Sequence, residues 1–404
     1  MKKMLMMATT AAMIEQFNKN NILILLDMGY EVHVAGNFEK GNPISQERLE
    51  AFKKWLEERK CKWFNIPSTR KPTDYNNVRA YKQVVSLIKQ YNYNFIHCHT
   101  PIGSVIARCA AHKTHTPIIY TAHGFHFYKG APIKNWLIYY PVEKFFSRWT
   151  DLLILITKED YERAKSFKAG KVVYVPGVGI DLDEFNKEKN NKGDCSNEAR
   201  ESQVGLSKEH VIRSEFGIPT DAKLLLSVGE VNKNKNHKLG IEALARLKDK
   251  NVYYVICGRG HMMDAYKILT QKLGISDRVI FAGYRTDVIK FYNEADVFLF
   301  PSLREGLSVA VMEAMAMGVP VICNDIRGNT DLIEDKVSGL LINNQIDELV
   351  KAIQELISND ELRDKIICEG RKKVKHFGIK NVSNMMRKVY EQGLLHKSDA
   401  LIDI

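Results

Sequence analysis

Two carboxylates eight residues apart, Glu305 and Glu313, lie in the stretch Pro301-Ser302-Leu303-Arg304-Glu305-Gly306-Leu307-Ser308-Val309-Ala310-Val311-Met312-Glu313-Ala314-Met315-Ala316. The run Asp296 to Phe300 before it reads as a buried strand, and Ser308 stands where a helix N-cap belongs. The helix that follows is apolar on almost every face, so a carboxylate inside it is costly unless something binds it. Glu305 falls on the loop before the cap, beside backbone N–H groups and the positive end of the helix dipole. The pair therefore frames a site for a polyhydroxylated, anionic ligand. Amides and dipole suit phosphate; carboxylates suit vicinal hydroxyls.

Other residues at predicted strand ends could join such a site. Gly229 ends a strand, and Lys235 follows six residues later in Asn232-Lys233-Asn234-Lys235-Asn236. Gly258-Arg259-Gly260 forms a glycine-lined turn after Tyr253–Cys257. Gly283, Tyr284 and Arg285 follow a further strand and suit the wall of a base pocket. His123 closes Tyr120-Thr121-Ala122-His123-Gly124, where Gly124 permits close backbone approach. Two metal-like patterns fail on spacing. Asp181-Leu182-Asp183 has no strand end before it, and the i, i+1, i+2 arrangement of His97-Cys98-His99 does not make a compact zinc site. Cys98 is expected to pack inward on its strand, with His99 bordering the cleft. No G-x-S-x-G, Walker A or HExxH motif occurs.

The block Phe281-Ala282-Gly283-Tyr284-Arg285-Thr286-Asp287-Val288, followed by Pro301-Ser302-x-x-Glu305-Gly306-Leu307 and Glu313-Ala314-Met315-Ala316-x-Gly318-x-Pro320-Val321, resembles retaining glycosyltransferases of family 4. It matches their E-x7-E signature, and weaker similarity runs from Thr121 through Gly229 to Gly339. Within the family the chain is most similar to bacterial enzymes that build capsular and other exported polysaccharides on a lipid carrier. The resemblance implies the GT-B fold, in which two doubly wound, Rossmann-like α/β domains face a central cleft. It implies that Glu313 accepts the ribose hydroxyls of a nucleoside diphosphate sugar, UDP-linked. Glu305, Gly306, Leu307 and Ser308 would hold the donor sugar and pyrophosphate, with Lys235 on the phosphate. His123 would stand near the sugar and leaving group. The family usually places Arg directly after the glycine at position 229; here Glu230 stands there, and Lys233 or Arg304 is the candidate replacement. The resemblance also implies no cofactor, no catalytic metal and no enzymic nucleophile.

The elements that must position these residues are legible in outline. At 404 residues, with 45% apolar and 26% charged residues, two soluble domains are expected. Seven predicted strands before residue 176 and six after residue 223 alternate with helical patterns, which means parallel sheets covered on both faces. The boundaries expected are 1–176 for an acceptor-binding domain, 177–206 for a connection with a mobile polar insertion at 186–206, and 207–379 for a donor-binding domain. A helix near 380–395 is expected to pack back on the first domain, with 396–404 as a tail. The start, Met1-Lys2-Lys3-Met4-Leu5-Met6-Met7-Ala8, has no cleavage site and reads as a strand instead of a signal peptide. Seven cysteines without a CxxC pair fit reduced thiols and a cytoplasmic location, and the basic first domain suggests peripheral contact with the inner face of the plasma membrane.

Charge is uneven. Residues 1–175 carry 26 Lys and Arg against 14 Asp and Glu, a net of +12, and the remainder carries 33 against 34, a net of −1, so the first half holds the whole positive excess of the chain's +11. An anionic partner for that half follows: a membrane surface or a polyprenyl-diphosphate-linked saccharide acceptor. The segment 125–149 is rich in aromatic and basic residues. It fits either the interface of an anionic bilayer or a core helix with an exposed cationic face. The cluster Lys53, Lys54, Arg59, Lys60 and Lys62 reads as a solvated face. Two other classes remain open: a nucleotide-sugar epimerase of the same architecture, and a nucleic-acid binder suggested by a pI near 9.1. No nucleic-acid-binding module supports the latter.

Overall fold

A computed structural model describes residues 2–187 and 210–392. Most of the polar insertion expected at 186–206, and the tail at 396–404, lie outside the described residues. The chain divides into two compact units: Met1–Gly179 together with the chain from Lys380 onward, and Ile180–Ile379.

The first unit carries a wholly parallel seven-stranded sheet, ordered β3-β2-β1-β4-β5-β6-β7. Its strands are β1 (Lys3–Thr10), β2 (Glu31–Asn37), β3 (Lys62–Asn65), β4 (Phe95–His99), β5 (Ile118–Ala122), β6 (Leu152–Leu155) and β7 (Lys171–Tyr174). The residues of β1 explain why it is central. Met4, Met6 and Ala8 enter one apolar cluster while Leu5 and Met7 enter the cluster on the opposite face. A strand buried on both sides needs a continuous apolar run, which Met4-Leu5-Met6-Met7-Ala8 supplies. The closing helix Ile379–Gln392 buries Val382, Met386, Val389 and Tyr390 in the first of these clusters.

The second unit repeats the architecture with six parallel strands, ordered β10-β9-β8-β11-β12-β13. They are β8 (Lys223–Val228), β9 (Val252–Cys257), β10 (Val279–Gly283), β11 (Val297–Phe300), β12 (Val321–Asn324) and β13 (Leu340–Ile342). Leu224 and Leu226 face one cluster and Leu225 the other, the same two-sided burial. In each sheet the strand order reverses once, between β1 and β4 and between β8 and β11. In open parallel sheets, ligands bind beyond the strand carboxyl ends at such a reversal.

Candidate active site

In the second unit the loops leaving β8 and β11 bring Lys235 and Glu305 together. Lys235 Nζ lies 2.8 Å from Glu305 Oε1 and 4.5 Å from the centroid of the Phe300 ring. Both side chains are largely buried, so the ammonium is held by a carboxylate on one side and a ring face on another. Backbone at these strand ends is packed closely. A Cβ at Gly258 would fall 1.8 Å from the Gly229 carbonyl oxygen, so only glycine fits where the ends of β8 and β9 meet. Gly229 itself lies against the stem of Lys235, whose Cε would sit 3.3 Å from a Cβ built there.

The loop Pro301–Ser308 is stapled from several directions. Asn324 Nδ2 donates to the carbonyls of Pro301 and Ser302 at 2.8 and 3.0 Å. Asn236 Nδ2 donates to Pro301 O, and Asn234 Nδ2 donates to Arg304 O. The guanidinium of buried Arg327 donates to Glu305 O through Nε and a terminal nitrogen at 3.3 and 3.2 Å. Gly328 completes the cradle. Its φ is +82°, and a Cβ there would stand 1.7 Å from Gly306 O. None of Asn234, Asn236, Asn324, Arg327 or Gly328 was singled out from the sequence. The glycine after Arg327 at a strand exit was the one available hint.

The helix Val309–Met317 begins as expected, with Ser308 at its N-cap in extended conformation (φ −85°, ψ 118°). The capping hydrogen bond expected from the Ser308 hydroxyl is not made. The first-turn N–H groups therefore lack a side-chain cap, the condition in which a helix start receives an anion. Glu313 projects from the second turn. Its Oε2 accepts from Tyr292 Oη at 3.0 Å, and that phenol also lies 3.2 Å from Ala310 O. Burial pushes the Glu313 carboxyl up to about 7; the Tyr292 hydrogen bond opposes this and the charge of Glu184 adds to it. A buried carboxyl with one protein donor has acceptor capacity left for hydroxyls of a ligand.

The remaining expected residues take different positions. Arg285 is not a free cation: it forks onto Glu215 at 2.6 and 3.0 Å and onto Asp287 at 2.8 and 2.9 Å. Its charge is spent within the protein, and Tyr284 beside it is exposed. Lys233 and Arg304 are exposed on the loops that carry Lys235 and Glu305.

In the first unit the exits of β4 and β5 gather three imidazoles. His97 Nδ1 lies 2.9 Å from Tyr390 Oη and its Nε2 2.8 Å from Thr121 Oγ1. His99 Nε2 lies 3.2 Å from Met6 Sδ, and His99 Nδ1 lies 3.1 Å from His123 Nε2. Desolvation lowers all three: His123 to about 4, His97 to about 3, and His99 well below the usual range. The rings are neutral at pH 7, and the neighbours then fix their protons. A thioether only accepts, so His99 carries its proton on Nε2 and must accept at Nδ1. His123 therefore donates through Nε2 and leaves Nδ1 as an acceptor. Cys98, between the histidines on β4, is fully buried on the other face of the sheet. Among the described residues no group of three His, Cys, Asp or Glu is placed to hold a metal ion.

A cavity of about 360 Å³ opens nearby in the same unit, lined by Met13, Phe17, Arg70, Thr100, Ile102 and Tyr139 among others. Thr100 adopts φ +66°, unusual for a β-branched residue, and its Oγ1 stands 2.7 Å from Thr9 Oγ1. Strained backbone at the rim of a cavity is a frequent mark of a binding site. No sequence signal marked Thr100 or Arg70.

Residues 208–373 match the family described as glycosyl transferases group 1, and residues 23–184 match glycosyltransferase family 4. The chain is 36% identical to EpsD of Bacillus subtilis (strain 168), a glycosyltransferase by name, with 96% of each chain covered. It is 29% identical to an Escherichia coli UDP-Gal:α-D-GlcNAc-diphosphoundecaprenol α-1,3-galactosyltransferase, covering 70% of this chain and 72% of that one. Among solved structures, HepE of Anabaena in complex with UDP and glucose superposes with a TM-score of 0.72 at 19% identity, covering 97% of this chain and all of that one. Between the classes left open by composition and topology, these matches favour sugar transfer.

Proposed function

The chain belongs to the group 1, family 4 glycosyltransferases, and from that premise we propose that it moves a hexose or N-acetylhexosamine from a UDP-sugar to a saccharide on a polyprenyl diphosphate. The observation that carries the donor half is the constellation of Lys235, Glu305 and Glu313 around an uncapped helix start. Glu313 takes the two ribose hydroxyls, a bidentate demand that a carboxylate meets. The amides of Gly306, Leu307 and Ser308 receive the diphosphate, and Lys235 turns from Glu305 alone to share its charge with the phosphate. Glu305 is then free to accept from hydroxyls of the sugar.

Transfer breaks the bond from the anomeric carbon to the diphosphate oxygen. The acceptor hydroxyl forms the new bond on the same face, and its proton leaves with the departing phosphate. Charge accumulates on the diphosphate as that bond lengthens, where Lys235 and the helix N–H groups already stand. His123, neutral and accepting at Nδ1, orients a sugar hydroxyl and does not act as an acid.

The acceptor reading draws support from the positive first half, from the cavity holding Arg70 among apolar walls, and from the acceptor of the Escherichia coli relative. Radiolabelled UDP-glucose, UDP-galactose, UDP-N-acetylglucosamine and UDP-N-acetylgalactosamine, offered with GlcNAc-diphosphoundecaprenol, test it directly. A lipid-extractable labelled disaccharide with an α linkage is expected from at least one donor. Transfer only from a GDP- or ADP-sugar, or only to water-soluble acceptors, overturns the corresponding half.

A further inference from the structure

We infer that the outward face of the helix Ile133–Ser147 is a docking surface for an anionic lipid bilayer. Its inner face is anchored to the first unit. Glu143 accepts from Arg108 at 3.0 Å and from Tyr120 Oη at 3.2 Å, and Trp136, Tyr139 and Tyr140 pack against the core. The opposite face is apolar where solvent would require otherwise. Ile133 is 78% exposed, Leu137 73%, Ile138 57%, Phe145 43% and Val142 39%. The described residues contain thirteen exposed large apolar side chains, so five on one helix is a patch and not a scatter.

Cations border this patch, and the carboxylate beside Lys129, Glu159, accepts from the Lys129 backbone N–H at 2.7 Å and pairs with Arg163. Lys134, Lys144 and Arg148 are exposed on or beside it, Lys129 lies in the turn before it, and the Arg148 guanidinium lies 4.6 Å from the Phe145 ring centroid. Glu143 is the one acidic residue between 129 and 149, and it points inward to Arg108. The other basic cluster of this unit differs. There Lys53 pairs with Glu50, Arg59 with Glu58 and Lys62 with Glu31, as expected of a solvated face.

The pattern identifies the occupant. A second copy meeting this face through a twofold axis would set like charges against like. Nucleic acid would satisfy the cations and leave Ile133, Leu137 and Ile138 in water. An anionic headgroup layer over acyl chains satisfies both. Among the described residues no helix is long and apolar enough to cross a membrane, and this one is 15 residues long, so it would lie in the interface plane. Tyr139 on its inner face also lines the 360 Å³ cavity, which would then open beside the bilayer that carries the acceptor. The inference deepens the lipid-linked acceptor reading and rests on it for its purpose.

Sedimentation with phosphatidylglycerol/phosphatidylcholine vesicles, and with phosphatidylcholine vesicles alone, tests it on the full chain. Binding to the anionic vesicles is expected, weakening at least tenfold between 0.1 and 0.5 M NaCl. Leu137→Ser with Ile138→Ser should reduce that binding at least tenfold, with thermal stability and transfer to a water-soluble acceptor analogue unchanged. Lys134→Glu with Lys144→Glu should abolish the preference for phosphatidylglycerol. Equal binding by wild type and the Leu137/Ile138 variant overturns the inference, as does dissociation of a dimer by that variant without any vesicle binding. Vesicle binding that persists while no lipid-linked acceptor is used would instead sink the acceptor reading and leave the docking surface standing.

Discussion

Burial holds the Glu313 carboxyl near neutrality, at about 7, so in the empty protein it is about half protonated there. Accepting two ribose hydroxyls demands the ionised form. Binding must therefore expel the proton, and affinity for a UDP-sugar should rise as pH increases from 6 to 8. A UDP-sugar keeps a constant charge across this range, so the proton comes from the protein. Calorimetry in buffers of different ionisation enthalpy should register its release. Glu313→Gln keeps an acceptor for Tyr292 but lacks the charge. It should weaken binding by roughly 1.5–3 kcal/mol and flatten the pH dependence. The sign for the empty protein is opposite. A raised carboxyl contributes stability below 4.5 and loses it as pH rises through about 7, so Glu313→Gln should melt higher than wild type at pH 8 and alike at about pH 4. An unchanged pH slope of binding in the variant would remove Glu313 from the ribose.

The helix Val309–Met317 works only if the loop before it holds one shape, and Gly328 is where that shape is most constrained. Gly328→Ala adds a Cβ at φ +82° against the Gly306 carbonyl, and no flexible side chain can yield. The variant should lose about 3 kcal/mol or more, and UDP binding with it. Gly229→Ala is the informative comparison. Its φ of +154° strains any side chain, but its Cβ meets only the Lys235 stem, which can move, so it should cost less stability than Gly328→Ala while Lys235 is displaced from Glu305 and donor affinity falls. Chemical denaturation alongside titration separates the two; equal stability loss in both would contradict the geometry. The same elements show what the sequence made legible. All thirteen strands were visible because runs such as Val297-Phe298-Leu299-Phe300 are buried on both faces and leave no ambiguity of period. Their ends were less so: β1 extends to the polar Thr9 and Thr10, and Thr9 bonds to Thr100 through its backbone N–H and its hydroxyl. Type and spacing pick out Glu305 and Glu313, and Lys235, suggested by the family resemblance, stands against Glu305. Arg327 and Asn324 were not legible, since each matters through loop carbonyls some twenty residues away in sequence. The pairing of Arg285, read from the sequence as part of a base-pocket wall, was not legible, because Glu215, seventy residues upstream, gives no local sign of it.

Across the whole molecule the two sheets are alike, but their titratable interiors are not. The first unit holds the buried His97 and His99 and the half-buried His123 uncharged and also lowers His33, whereas the second lowers His237 alone among its described histidines. Desolvation is the leading cause in every case, and a histidine so lowered contributes stability that is present above 6.5. That share is lost as pH falls through the folded value, near 4 for His123 and His237 and near 3 for His97. Unfolding then takes up one proton per ring, a slope of about 1.4 kcal/mol per pH unit for each. Three strongly lowered rings against one predict that the first unit unfolds at a higher pH on acidification. The chain supplies its own probe, because Trp55, Trp63, Trp136 and Trp149 all belong to the first unit. Tryptophan fluorescence should change between pH 6 and 4, ahead of the part of the helical circular dichroism signal that the second unit contributes. Replacing His97 by Gln, which can still bond Tyr390 and Thr121 without taking a proton, should move the fluorescence midpoint to lower pH and leave the later transition in place. Coincident transitions in the wild type, or a midpoint indifferent to that substitution, would mean that the buried imidazoles do not set the acid limit of this unit.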